Sequence, residues 1–318
     1  MTILTNTALT FGAVGLREDL SDMIFNISPV DCPFISRIKS ATAEAVLHEW
    51  QTDALADAAA NAKLEGDDPT ITNSFSAATD TARVSNRCQI SYKTCVVSGT
   101  LDSVKKAGRN KEIVKQMAMR AKELKRDMEF ICTNNQAPVT GDATTARQLR
   151  PLVSWYTTSG NISANGGSNG SSSAARTDGT QRALVESYVK TVLQGCWTQG
   201  GEPNLIMCGP FNKTVISGFT GNATRMDQSE DKKLVAAIDI YESDFGQHKI
   251  VANRFQRARD VHVIDTKMWA VAYLTGRKFQ TLDLAKTGDA EKGMVLSEYT
   301  LEARNQASSG LVADLTTS

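Results

Sequence analysis

The chain has no excess of charge of either sign. Its 318 residues carry 35 lysines and arginines against 35 aspartates and glutamates, so the formal net charge is zero. A protein that binds nucleic acid regardless of sequence needs excess positive charge to displace counterions. The balance therefore argues against such a binder. It also leaves no long-range repulsion to oppose self-association.

Cysteine and histidine are too scattered for a zinc site or a disulfide framework. The six cysteines form no CxxC pair, and the chain has three histidines. A structural zinc site needs four close nitrogen or sulfur ligands. We expect reduced, mostly buried thiols, no metal and no cofactor. The alternative, a hard cation held by Asp53 and Asp57 or by Glu65, Asp67 and Asp68, is weaker because aspartate is favoured in turns for backbone reasons.

Long hydrophobic runs are also missing. The longest, residues 268–274, is far shorter than the ~20 residues that cross a bilayer. No basic segment precedes an apolar core at the N-terminus, so we expect a cytoplasmic product without membrane contact.

The common motifs for phosphate cradles, catalytic metals and nucleophile elbows are absent from the sequence. The best enzyme candidate is Cys208 at the end of a predicted strand, with His248 or His262 as base and Asp244 orienting that base. A small hydrophobic residue at a strand end is the favoured interpretation, so we do not expect an enzyme. The alternative function is an α+β enzyme that uses a hairpin as a dimer clamp.

The longest helical pattern lies in residues 111–133. Its apolar residues recur at steps of three and four, and charged residues, Glu129 among them, occupy the opposite face. Asn110 is the predicted N-cap and Asn134 the predicted end. At ~1.5 Å per residue the helix is about 35 Å long and could support elements on both sides. The stripe comprises Ile113, Met117, Ala121, Leu124, Met128 and Ile131.

Two segments before this helix alternate like β-strands. Residues 45–51 include Trp50 on one face, and residues 83–98 alternate throughout, with Ile90 and Tyr92 on the apolar side. Strands usually have ~5 to 6 residues, so the second is overlong. With the polar segment between them, the pair predicts a projecting two-stranded arm. A lone hairpin is marginal in water, so the arm should lie on a neighbouring copy.

The remaining pattern is mixed. A short amphipathic helix is predicted at residues 16–27, and the Gly-, Ser- and Asn-rich residues 159–179 predict a mobile surface loop or, equally, an interdomain linker. The fold class is α+β, with late strands completing a sheet begun near the long helix. Further helices are predicted at 181–198 and 211–219, and strands at 204–208, 249–252, 261–264, 270–274, 279–284 and 294–301.

Three blocks resemble a phage head-protein family. They are VGLREDLSDMIFNISPVDCPFISRI (residues 14–38), GEPNLIMCGPFNKTVISGF (201–219) and YESDFGQHKIVANRF (241–255). The order of parts also resembles the major capsid protein of tailed bacteriophages, which has the Hong Kong 97-like capsid fold. The resemblance runs over nearly the whole chain.

The resemblance implies an N-terminal arm (1–40), an extended β-hairpin loop (41–99), a peripheral domain with a spine helix (100–140 and 276–318) and an axial domain (141–275). It implies a structural protein that self-assembles into hexamers and pentamers in the host cytoplasm. The product would be the virion's head shell, enclosing double-stranded DNA without sequence-specific binding. Implied partners are neighbouring copies, portal and scaffolding proteins, and decoration proteins.

Contacts between subunits are expected on the N-terminal arm and the extended loop. The candidate contact residues are Leu16, Leu20, Ile24, Trp50, Lys63, Arg83, Arg87 and Tyr92. Some members of this fold join Lys to Asn between subunits, and Lys63 near the arm tip has a suitable position. Such a bond also needs a desolvated carboxylate nearby, which the sequence does not place.

Overall fold

A computed structural model describes residues 28–29, 31–55, 58–67, 81–106, 110–219 and 239–318. The predicted helix at 16–27, with Leu16, Leu20 and Ile24, lies outside the described residues. The helices are α1 (Pro33–Arg37), α2 (Gly99–Ser103), α3 (Glu112–Thr133), α4 (Leu152–Trp155), α5 (Glu186–Thr198) and α6 (Pro210–Ser217). The strands are β1 (Lys39–Ala43), β2 (Leu47–Thr52), β3 (Ala82–Arg87), β4 (Gln89–Ser98), β5 (Ile162–Ser163), β6 (Leu205–Cys208), β7 (Ile240–Ser243), β8 (Gly246–Ala252), β9 (Val261–Ile264), β10 (Trp269–Leu274), β11 (Gln280–Leu284), β12 (Ala290–Ala303) and β13 (Gly310–Val312).

The long strand β12 organises a sheet that has five strands in the described ranges. Strand β4 pairs antiparallel along one edge of β12, while β11 and β10 pair with successive parts of the other edge. Strand β1 pairs parallel with β10. Strands from residue 269 onward therefore complete a sheet begun at residue 39, as the sequence predicted.

Helix α3 packs on one face of this sheet. The Cys95 sulfur on β4 lies 3.2 Å from the Met117 sulfur on α3, and Lys93 pairs with Asp127 at 2.8 Å. Gly293 of β12 permits this approach, because an added Cβ would lie 2.6 Å from the Met117 sulfur. The predicted apolar stripe of the helix is buried or half-buried, which confirms it.

The start of α3 differs from the prediction. Lys111, not Asn110, occupies the N-cap position, and its side chain makes no capping bond. The first backbone N–H, that of Glu112, instead donates to the Asp102 carboxylate at 2.8 Å. A residue of α2 thus caps α3. Asp102 is too far from the start of α3 in the sequence for an N-cap pattern to reveal this.

Glu129 was predicted on the solvated face of α3, and this prediction is wrong. Its side chain is completely buried. The carboxylate accepts hydrogen bonds from the Phe34 and Ile35 backbone N–H groups at 2.8 and 2.9 Å, and from the Asn253 side-chain amide at 2.7 Å. Burial raises the pKa of Glu129, and these three donors oppose the rise. One carboxylate therefore joins α1, α3 and the chain after β8.

The predicted continuous strand at 83–98 is interrupted at Cys88, so the prediction of one overlong strand is wrong. Among the described residues β3 pairs only with β2, whereas β4 belongs to the five-stranded sheet. Val84 packs against the core and Asn86 is buried, yet Ile90 and Tyr92 are exposed. After the interruption, the even-numbered side chains face away from the core.

A second sheet has six strands in the described ranges, in the order β5-β13-β9-β6-β8-β7. Helix α5 covers one face through Val192 and Leu193, next to Ile216 of α6. The opposite face contributes Met207 and Ile264 to a larger core that also takes in α1, α3, α4 and the five-stranded sheet. The described residues thus form two large apolar clusters and a small third one at Ala43, Cys88 and Ala272, between helices and sheets as in an α+β fold.

The Gly- and Ser-rich segment, residues 159–179, is anchored to the body by contacts that its composition does not predict. Arg176 is buried and pairs with Asp314 at 2.6 Å, and Asp314 also accepts the Gly179 backbone N–H at 2.8 Å and Arg259 at 3.0 Å. Arg176 and Asp314 are 138 residues apart in sequence. The prediction of a mobile surface loop at residues 159–179 is wrong. The segment is anchored by a long-range ion pair, whereas the prediction considered only apolar side chains as anchors.

We predict that Glu129→Gln lowers the free energy of unfolding by about 1–3 kcal/mol, because the NH2 group that replaces one carboxylate oxygen is a donor and cannot accept the buried N–H that this oxygen accepts. The measurement is urea unfolding of the unassembled chain. Glu123→Gln on the same helix is the matched control, since Glu123 pairs with Arg120 at a half-exposed site. It should change stability by less than about 0.5 kcal/mol. Equal stabilities for the two variants would contradict the role given to Glu129.

Candidate assembly surfaces

The base of the β2–β3 hairpin is fixed to the body. The Trp50 indole N–H donates to the Ala303 carbonyl at 2.9 Å, and its ring lies 5.8 Å from that of Trp155. The Asn86 amide donates to the carbonyls of Leu301 and Arg150 at 2.7 and 3.1 Å. Trp50, a predicted contact residue, is therefore engaged within its own chain.

The distal part of this arm is unsupported. Every described residue from 53 to 67 is exposed, including Lys63. Leu55 and Leu64 are 97% and 83% exposed, values that are unusual for leucine. Arg83, near the base, forms an ion pair with Glu49 on the opposite strand. The arm thus presents apolar side chains that no described residue covers.

Part of the face opposite α3 on the five-stranded sheet is uncovered, along β4 and the end of β11, although Leu296 and Glu298 of β12 on the same face are buried. Ile90, Tyr92 and Val96 alternate along β4 and are 42%, 60% and 60% exposed. Leu284 of β11 belongs to the same face, because it pairs with Lys292, which pairs with Val96. We call Ile90, Tyr92, Val96 and Leu284 the open sheet face.

A groove of about 570 Å³ adjoins one end of the open sheet face. Val46, Arg87 and Ile90 form one side, and residues 140–142 and 145–147 form the other. Arg147 already pairs with Glu298 at 2.8 Å. Backbone N–H groups of Thr144 and Thr145 bind the Asp142 carboxylate and lower its pKa to about 2.

A smaller apolar patch lies beside the six-stranded sheet. The Trp197 and Phe245 ring centroids are 5.6 Å apart, and Trp197 at the end of α5 is more than half exposed. Ile240, at the start of β7, is exposed as well. This patch lies outside the extended loop to which the sequence assigned intersubunit contacts.

The geometry does not form the proposed Cys–His arrangement. Cys208 pairs with Val261 and Met207 with His262 across β6 and β9, so Cys208 and His262 point to opposite faces of the sheet. Burial raises the pKa of the Cys208 thiol to about 12 and lowers that of His262 to about 3. The thiol is therefore poorly suited to act as a nucleophile.

The second candidate base is already bound elsewhere. The two ring nitrogens of His248 lie 2.7 Å from the Pro203 carbonyl and 2.6 Å from the Ser243 hydroxyl. His248 is four positions along β8 from Ala252, the partner of Cys208, or about 13 Å at ~3.3 Å per residue. Within the described ranges, no three acidic, histidine or cysteine side chains are placed to hold a metal, and no helix could span a membrane.

The family model for the SU10 major capsid protein matches residues 3–316. The chain belongs to the SU10 major capsid protein family. A relative, the major capsid protein of Escherichia phage Phieco32, is 26% identical over 341 residues and is matched over 94% of each chain. The capsid of cyanophage A-1(L) superposes with a TM-score of 0.63 at 12% identity, covering 95% of this chain and 98% of that one. The capsid of a native GTA particle gives 0.61 at 10% identity, covering 98% and 100%.

These findings confirm the Hong Kong 97-like capsid fold and the predicted function. The chain is a major capsid protein of a tailed phage, and its place is the shell of the virion. Its family is one of structural proteins. The uncovered apolar surfaces of the arm and sheet fit a protein that self-associates.

The predicted contact residue Tyr92 is exposed and Arg87 is half-buried, and their role between subunits stays a prediction. Sequence reasoning missed the groove and the open sheet face. It placed Ile90 on the same side of one continuous strand as Val84, whereas after the interruption at Cys88 Ile90 is exposed. Leu55 and Leu64 did leave a signal. They are isolated leucines in a stretch of small and polar residues.

We predict that none of the six cysteines of this capsid protein reacts with iodoacetamide at pH 8 while the chain is folded, because all six thiols are buried. Mass spectrometry should find six adducts after urea unfolding and none before. Leu64→Cys supplies the positive control, since an exposed thiol at that position should react at once. Rapid labelling of Cys208 in the native protein would contradict the assignment of an inert thiol.

Proposed function

We propose that this major capsid protein forms hexamers and pentamers in which the extended loop of one copy lies on the next. The observation that carries the proposal is the pair of exposed leucines on an arm that leaves the body as two strands. Apolar burial contributes about 25 cal/mol per Å², so covering two leucines and an apolar sheet face favours association. The contact repeats around each capsomer, which multiplies a modest pairwise affinity.

The domain roles in this proposal follow the two sheets in part. The peripheral domain (100–140 and 276–318) contains α3, β11 and β12, and the axial domain (141–275) contains most of the six-stranded sheet together with β10 of the five-stranded sheet. Strand β13 pairs with β9, so the last residues of the peripheral segment also bind the axial sheet. The N-terminal arm (1–40) and extended loop (41–99) would link neighbouring copies.

The proposed partners beyond the chain itself are a portal protein, a scaffolding protein and decoration proteins. The enclosed double-stranded DNA would be held without sequence-specific contacts. Zero net charge supports this, because a strongly basic lumen would bind DNA and impede its packing and release.

The test is removal of the arm. Thr52 and Ala82 form the last pair of the hairpin, so an Asn-Gly turn can replace residues 53–81 without changing strand register. We expect the truncated chain to keep the melting temperature of the unassembled full-length chain within a few degrees, and to form no shells in sedimentation and electron microscopy. Shells at the full-length yield would contradict the proposal.

A further inference from the structure

We infer that Leu64 of one copy docks into the groove of a neighbouring copy, between Val46 and Ile90, with Glu65 paired to Arg87 of that neighbour. The inference rests on the proposed function and specifies where the arm binds. The occupant is a second copy of this chain.

The apolar parts of the two surfaces match. Leu64 projects from a turn in which the Asp67 N–H donates to the Leu64 carbonyl at 3.1 Å, so the turn presents the leucine at its start. Val46 and Ile90 on the groove wall are exposed, at 36% and 42%. A groove of about 570 Å³ lies within the roughly 300–1,000 Å³ range of pockets that enclose ligands. It can therefore accept a turn of chain.

The charges match as well. Glu65 and Asp67 flank the exposed leucine on its C-terminal side and are themselves exposed. Arg87 forms no ion pair with any residue that the structure describes, whereas the other groove cation, Arg147, is taken by Glu298. Glu65 can therefore form a directional pair with the Arg87 guanidinium of a neighbouring copy. The groove also contains the Asp142 carboxylate, whose charge is stabilised by the backbone N–H groups of Thr144 and Thr145.

The distances allow the rest of the arm to continue along the open sheet face. Ile90 and Val96 are six positions apart on β4, or about 20 Å. Leu55 and Leu64 are nine positions apart, a length of chain that spans up to about 30 Å. With Leu64 in the groove, Leu55 can therefore reach Tyr92 or Val96.

Disulfide trapping tests the contact. The native thiols are buried, so they should not form disulfides under mild oxidation. Leu64→Cys and Ile90→Cys are therefore combined in one chain. Shells are assembled from this variant, treated with a mild oxidant and analysed on a non-reducing gel. We expect a ladder of covalent multimers that each single variant lacks. The matched control combines Leu64→Cys with Leu284→Cys, because Leu284 is 37% exposed at the far end of the same face. That pair should give no ladder.

Three results would overturn the inference. Shells without a ladder would mean that the arm binds elsewhere. A ladder of equal strength in the control would mean that the contact is unspecific. A disulfide within one chain would mean that the arm folds back on its own subunit. In the first two cases shells form and the arm can lie on another part of the next copy, so the proposed function stands. A disulfide within one chain would also contradict the proposed function, because that function places the loop on the next copy. If arm removal leaves assembly unchanged, the proposed function itself fails.

A charge exchange decides the matter if the cysteine variants do not assemble. Arg87→Glu should lower shell yield by roughly tenfold, and adding Glu65→Arg should restore most of it. Arg83→Glu is the matched control on the same strand. Because Arg83 pairs with Glu49 of its own chain, Glu65→Arg should not restore that variant. Failure of Glu65→Arg to rescue Arg87→Glu would overturn the inference.

Discussion

The buried carboxylate of Glu129 is the interaction on which the body of this capsid protein depends. Its three donors come from the first turn of α1 and from the residue after β8, so it connects α1, the long helix α3 and the six-stranded sheet. A buried carboxylate is costly unless its oxygens are hydrogen-bonded, and here they are. The same logic holds at Arg176 and Asp314, where a buried ion pair fixes a segment without apolar anchors. Long-range polar contacts, rather than core volume alone, define how the parts of the body meet.

These contacts hold the body together, yet the arm and part of the five-stranded sheet are left uncovered. Trp50 and Asn86 fix the base of the hairpin, yet the arm beyond it carries two exposed leucines. The five-stranded sheet is covered by α3 on one face, and along β4 its other face is exposed. A monomer gains nothing from either feature, whereas a shell in which each arm covers the next sheet satisfies both at once. In the proposed assembly, function resides in the complementarity of these surfaces.

Periodicity in the sequence was sufficient to predict the long helix, the late strands and the hairpin, because each is governed by local alternation. The capsid function came from three sequence blocks that resemble a head-protein family, and the family match confirms it. Periodicity failed where distant residues decide the outcome. The local pattern predicts Glu129 on the surface, but the fold places Phe34 and Asn253 against its carboxylate. The local pattern likewise predicts Arg176 in a loop, but the fold pairs it with Asp314. The interruption at Cys88 similarly depends on two different partners, β2 for one strand and β12 for the next.

The central claim is that the arm of one copy covers the open sheet face of its neighbour, and cryo-electron microscopy of assembled shells tests it most directly. The account predicts continuous density from the β2–β3 hairpin of one subunit across β4 of the next, with Leu64 in van der Waals contact with Ile90, at about 4 Å. Density that leaves the open sheet face exposed to solvent, or that places the arm on its own subunit, would contradict the account.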